Sequence, residues 1–189
     1  PLKVIKKARI SSFDKVGVIG AGGGLGIHML KMLKLNNISS IGIDTKTEKF
    51  DICNENGAEF SVSPMENDLN NKIADYTHGN DLDVVIDFVS SKSSLQLGAS
   101  ILGKGGRLVT LGGSGEQFLA NSSDMLVKEL ELIGSRYCTK QELKESLDLY
   151  ARGLIKPLVS HKTDFNGAEE LHNKIAVSYT HLRAHETSP

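Results

Sequence analysis

The sequence predicts an α/β protein built on a doubly wound parallel sheet with helices on both faces, and three observations carry that prediction. Apolar runs and helical patterns alternate along almost the whole chain. Runs such as Asp83-Val84-Val85-Ile86-Asp87-Phe88 and Arg107-Leu108-Val109-Thr110-Leu111 are near-continuous rather than alternating. The first run, Val16-Gly17-Val18-Ile19, breaks into a glycine-rich turn and then a helical pattern. A strand that is apolar on both sides is buried on both faces, as in a parallel sheet covered by crossover helices.

The elements follow in order. A helix opens the chain around Leu2 to Ala8, and strands are expected at 15–19, 39–43, 58–62, 83–88, 106–111 and 129–133. Directly after the glycines, Ile27, Leu30, Leu33 and Leu35 place one apolar stripe on a helix. Further helices are expected near 46–56, 66–77, 92–102 and 139–152. Gly57, Gly79, Gly103 and Gly153 fall where their C-caps, or the turns just beyond, should lie. Segment 112–125, rich in Gly, Ser and Asn, reads as the one long loop. It follows a strand end, where loops of such sheets contribute to a ligand crevice.

Composition narrows the function classes. The 189 residues carry a net charge of −1, with 39% hydrophobic and 24% charged residues, which fits one principal globular domain. Lysines are scattered and no basic stripe with interleaved aromatics occurs, so nucleic acid is not an expected partner. No apolar run approaches the ~20 residues of a membrane span and no signal peptide opens the chain, so a cytoplasmic location is expected. Cys53 and Cys138 have no CxxC partners and read as free thiols.

The turn Gly20-Ala21-Gly22-Gly23-Gly24-Leu25-Gly26 carries the chemistry. Glycines permit a turn closed to residues with a Cβ, and they let backbone N–H groups approach phosphate oxygens at the positive end of the following helix. The second strand ends on Asp44, close to the distance of about twenty residues at which an acid meets an adenosine ribose. Asp44 also suits the N-cap of a helix starting near Thr45, and one acid can serve both roles.

Taken together, these motifs resemble the cofactor-binding half of the medium-chain, zinc-dependent alcohol dehydrogenases, from Pro1 to about Ile175. The resemblance is carried by GAGGGLG at 20–26, Asp44 and Lys49 in GIDTKTEK, Asn56-Gly57-Ala58, Val85-Ile86-Asp87, Gly105-Gly106-Arg107 with Leu111-Gly112, and the stretch from Glu131 to Pro157. It implies a Rossmann domain in which the backbone around Gly20, Gly22, Gly23, Gly24 and Gly26 receives the pyrophosphate and Leu25 packs behind the nicotinamide. Asp44 would accept from the ribose hydroxyls and Lys49 would donate to the same sugar. Val89, Leu111 and Gly112 would border the nicotinamide, and Gly134 and Ser135 would offer backbone groups to its carboxamide. A carboxylate at the ribose favours a diol and repels a 2′-phosphate, so NAD is expected over NADP. Lys46 reads as a solvated lysine.

The departures bear on activity. The family's catalytic zinc ligands and its four-cysteine structural zinc loop have no counterpart here, so no catalytic or metal residue is assigned, and zinc is expected only in a full-length protein. Residues 1–14 read as helix and linker from a missing catalytic domain, 15–160 as the NAD-binding domain, and 161–175 as the start of the return. Residues 176–189 contain AVSYTHLRAHET, which resembles a translated sequencing adapter, and His181 and His185 are set aside with it despite their i, i+4 spacing. A fragment cut at both ends is expected. The full enzyme would move a hydride between nicotinamide and an alcohol, aldehyde or ketone, and a homo-oligomer is compatible with this reading. The alternatives are a zinc-free NADPH-dependent quinone or enoyl reductase of the same superfamily, against which Asp44 argues, and a stand-alone dinucleotide sensor.

Overall fold

The computed structural model describes residues 1–113 and 115–176. Six strands, β1 (Lys15–Ile19), β2 (Ser39–Ile43), β3 (Ser61–Val62), β4 (Leu82–Asp87), β5 (Leu102–Thr110) and β6 (Glu131–Gly134), form one sheet in the order β3-β2-β1-β4-β5-β6. Every pairing is parallel. The helices are α1 (Leu2–Lys7), α2 (Gly24–Leu35), α3 (Phe50–Glu55), α4 (Leu69–Thr77), α5 (Lys92–Ser100), α6 (Ser122–Lys128), α7 (Lys140–Ala151) and α8 (Ala168–Ala176).

The two faces of the sheet explain the continuous apolar runs. Val16, Val18, Val84, Ile86 and Val109 pack on one face with Val4 and Ile5 of α1, Met29, Leu30 and Leu33 of α2, and part-buried Leu149 of α7. Ile41, Ile43, Val85 and Leu108 pack on the other with Leu69 and Ile73 of α4 and Leu95 of α5. Adjacent residues of β4 therefore point into different cores, and both cores are apolar. No helix of the described residues is long and apolar enough to cross a membrane.

Several boundaries differ from the sequence reading for local reasons. The third strand, expected over 58–62, is regular only at Ser61–Val62, because Gly57 has φ +130° and the Ala58 N–H is bonded back to the Cys53 carbonyl. The helix expected near 46–56 opens as a 3₁₀ turn, Thr47–Lys49, before α3. Gly57, Gly79 and Gly153 have positive φ just beyond helix ends, as expected, but Gly103 lies inside β5 and caps nothing. A Cβ there would stand 2.3 Å from the Asn80 carbonyl oxygen, so Gly103 serves a close approach of β5 to the turn before β4. The expected long loop ends early because Asn121 caps α6, accepting from the Ser123 N–H at 2.9 Å. Its Ser-Ser-Asp start is helix-cap chemistry that reads as loop in sequence.

Arg107 on β5 anchors the start of the chain. Its guanidinium donates to the carbonyls of Ala8 (2.7 Å) and Arg9 (3.1 Å) and pairs with Asp14. Both side chains of the ion pair are largely buried, at 13% and 12% exposure, whereas Arg152 and Asp148 on α7 are about 60% exposed. Replacing Arg107 by Ala removes donors from the part-buried Ala8 carbonyl and Asp14 carboxylate and is expected to lower the unfolding free energy by about 2 kcal/mol in urea titrations. Arg152→Ala should change it by less than about 0.5 kcal/mol.

Candidate functional site

The parallel sheet brings the ends of β1, β2, β4, β5 and β6 to one edge, and the residues expected to hold the cofactor lie on that edge, in the turns leaving it or in the first turn of α2. The order 3-2-1-4-5-6 reverses direction between β1 and β4, where a crevice opens in sheets of this kind.

At the end of β1, Gly20 has φ +75°, and its N–H donates to the Ile43 carbonyl at 2.9 Å. The Gly23 N–H closes the turn on the Gly20 carbonyl at 3.1 Å, and Gly23 is the N-cap of α2. Among the described residues no side chain caps that helix, and the first-turn N–H groups of Gly24, Leu25 and Gly26 are placed for a ligand. Gly26 admits no Cβ, since one would lie 2.3 Å from the Gly20 carbonyl oxygen and 2.6 Å from that of Ala21.

Gly22 links this turn to β2. Its N–H donates to Asp44 Oδ2 at 2.8 Å, and a Cβ at Gly22 would stand 2.6 Å from the Cβ of Lys49 and 3.1 Å from Asp44 Oδ2. Acid and lysine thus converge on one glycine of the turn. Asp44 Oδ1 accepts from the Lys46 N–H at 3.0 Å. The first helical turn after it begins at Thr47 with Lys46 as its N-cap, so Asp44 is not the N-cap. Each carboxylate oxygen makes one of these bonds and keeps a further lone pair for a ligand.

Behind Asp44, Cys53 of α3 is fully buried. Burial pushes its thiol from 9.0 up to about 11, and the charge of Asp44 adds to the shift.

The ends of β4 and β5 are held by a network that the sequence reading missed. Asp87, fully buried, accepts from the N–H groups of Val89 (2.8 Å) and Ser90 (2.9 Å) and from Ser94 Oγ (2.7 Å). Ser90 Oγ lies 2.7 Å from Thr110 Oγ1 and accepts from the Gly112 N–H at 2.8 Å. The carboxylate thus shapes the turn that presents Val89, whose side chain lies against Gly20. A signal was present in the acid closing an apolar run just before two serines. Gly112 is glycine because a Cβ there would stand 2.6 Å from Ser90 Cβ.

Leu25 and Val89 stay open at 47% and 39% exposure. At the far end, the Ser135 N–H is bonded to the Thr110 carbonyl at 2.9 Å, and the Gly134 carbonyl accepts from Lys7. Among the described residues no three His, Cys, Asp or Glu side chains gather as a metal site, so these residues do not fit a zinc ion. His181 and His185 lie outside the described residues.

A family model described as zinc-binding dehydrogenase matches residues 24–152. An NAD-dependent alcohol dehydrogenase of Sulfurisphaera tokodaii is 27% identical over 169 residues, 89% of this chain and 49% of that protein. A D-arabinose 1-dehydrogenase (NADP(+)) of Saccharolobus solfataricus is 28% identical over 153 residues, covering 79% of this chain and 43% of that protein. Acetophenone reductase from Geotrichum candidum, solved in complex with NAD, superposes with a TM-score of 0.81 at 26% identity, over 96% of this chain and 50% of that one. The chain spans about half the length of the curated relatives it matches.

Two measurements follow from this geometry. Gly26→Ala drives a Cβ into backbone oxygens and should destabilise the fold, read by thermal unfolding. For Cys53, the native state keeps a proton that the unfolded chain releases, so its contribution is complete below about pH 9 and lost as pH rises towards about 11. Cys53→Ala should remove that part of the decline in unfolding free energy. Tyr76, whose buried phenol is also pushed above its ordinary 10.0, adds a decline of its own from about pH 10 upward, which Cys53→Ala leaves in place.

Proposed function

The chain belongs to the zinc-binding dehydrogenase family, and we propose that it is the NAD(H)-binding domain of an alcohol dehydrogenase-type oxidoreductase. The convergence of Asp44 and Lys49 on Gly22, where the uncapped α2 begins, is the observation that carries this reading. When bound, the nicotinamide would supply hydride transfer to or from the carbon of an alcohol, aldehyde or ketone. This chain's own residues bind and orient it.

The N–H groups of Gly24, Leu25 and Gly26 lie at the positive end of α2 and receive the pyrophosphate, those of Gly20, Gly22 and Gly23 being bonded within the protein. Asp44 takes the two ribose hydroxyls on its remaining lone pairs, and the Lys49 ammonium donates to the same sugar. The negative charge of Asp44 disfavours a 2′-phosphate, and a compact ammonium at Lys46 lacks the fork geometry that would offset it. The site therefore prefers NAD to NADP. Leu25 and Val89 supply apolar surface at the mouth of the crevice, and Leu111 and Gly112 border it. Gly134 and Ser135 offer backbone groups to the carboxamide, the Ser135 carbonyl among them because its N–H is already bonded within the sheet.

In this assignment residues 15–160 hold the cofactor, 161–175 lead towards the catalytic domain, and zinc and substrate belong to the whole protein, which resides in the cytoplasm. Calorimetry of the 189-residue chain tests the reading. Asp44→Ala should weaken NADH by about 1–3 kcal/mol, the range for losing hydrogen bonds to a charged group, and narrow discrimination against NADPH. Equal affinities of the unaltered chain for NADH and NADPH would contradict the role given to Asp44.

A further inference from the structure

The imidazole of His28 joins two parts of the chain that cofactor binding alone does not connect. His28 lies one turn into α2, with Nδ1 2.6 Å from the Gly24 carbonyl oxygen, and the Leu158 N–H donates to its Nε2 at 3.1 Å. A backbone N–H only donates, so Nε2 carries a lone pair, and the ring proton sits on Nδ1 and points to Gly24. Both nitrogens are engaged and the tautomer is fixed by the partners.

Three residues further along α2, Lys31 Nζ donates to the Lys156 carbonyl at 3.0 Å, and Ile155 packs on the core that α2 covers. Residues 155–158 are thus a strap along α2, held at two points. Just beyond it Val159 is 55% exposed.

Gly24 opens α2, and the donors of that first turn are those assigned to the pyrophosphate. We propose that His28 is a positioning residue for the dinucleotide site, tying the first turn of α2 to the strap so that occupancy of the glycine turn and order in the strap stabilise each other. The inference rests on the dinucleotide reading above. Such coupling is reciprocal: the factor by which a docked strap tightens NADH is the factor by which NADH tightens the strap.

Two substitutions separate the links. Asn36 and Asn56 in this chain return their side-chain amides to the carbonyl four residues earlier, at 2.7 and 2.6 Å. His28→Asn therefore keeps the bond to Gly24 and releases Leu158. His28→Gln extends to the Nε2 position, keeping an acceptor for Leu158 while giving up Gly24.

The test measures NADH affinity by calorimetry and hydrogen exchange at the Leu158 amide by NMR, in the 189-residue chain and both variants. NADH should slow exchange at Leu158 in the unaltered chain. Both variants should weaken NADH about five-fold or more and remove that slowing, including at temperatures where they are fully folded. Variants with a lower Tm but unchanged NADH affinity and unchanged slowing would show a purely structural imidazole and overturn the proposal. Should the variants not fold, the unaltered chain decides alone: NADH that binds without slowing Leu158 overturns it. If NADH produces neither heat nor any change at the Gly22–Gly26 amides of the unaltered chain, the dinucleotide reading fails and the proposal with it.

Discussion

The Gly22 N–H donates to the Asp44 carboxylate at 2.8 Å, and that contact sets the geometry of the β1–β2 side of the carboxyl edge, where the ligand groups converge. It fixes the turn after β1 against the end of β2, and it does so only because residue 22 has no Cβ to collide with the stem of Lys49. The same bond holds a negative charge beside a helix end that no side chain caps among the described residues. Opposite electrostatic characters, an anion-attracting helix terminus and a cation-attracting carboxylate, are thereby set side by side. A ligand that suits both must present an anionic group and hydroxyls a short distance apart, as a dinucleotide does.

A second carboxylate secures the opposite wall. Asp87 is out of solvent, and three donors, two backbone and one hydroxyl, meet its charge. A buried charge is tolerated only with such partners. The bonds dictate the shape of the turn after β4 and, through Ser90, the exit of β5 at Gly112. Asp44 keeps acceptor capacity facing outward and Asp87 directs its own inward. Position at the strand end is shared; the roles differ because one carboxylate is wet and the other dry.

Much of this was legible in the sequence, for identifiable reasons. Continuous apolar strands, the glycine turn and the acid closing β2 are local patterns, and burial on both faces or a missing Cβ leaves a direct mark on composition. Gly103 misled because a glycine required by close approach to Asn80 looks the same in sequence as one that caps a helix. Helix α6 was hidden because its Asn-Ser-Ser-Asp start has the composition of a loop. The Asp87 network and the link from His28 to Leu158 join residues distant in the chain, and only the folded sheet shows which donors reach which acceptors. The sequence placed Asp44 at a helix cap or at a ribose; the structure puts the cap at Lys46.

The most direct measurement of the central claim is a titration of the 189-residue chain with NADH, read through its assigned backbone amide resonances. The account predicts the largest movements at Gly22, Gly24, Leu25 and Gly26 and at Lys46, whose N–H shares the Asp44 carboxylate. Movements centred instead on the opposite edge of the sheet, around Ser39, Glu59 and Tyr76, or no movement at saturating NADH, would contradict it.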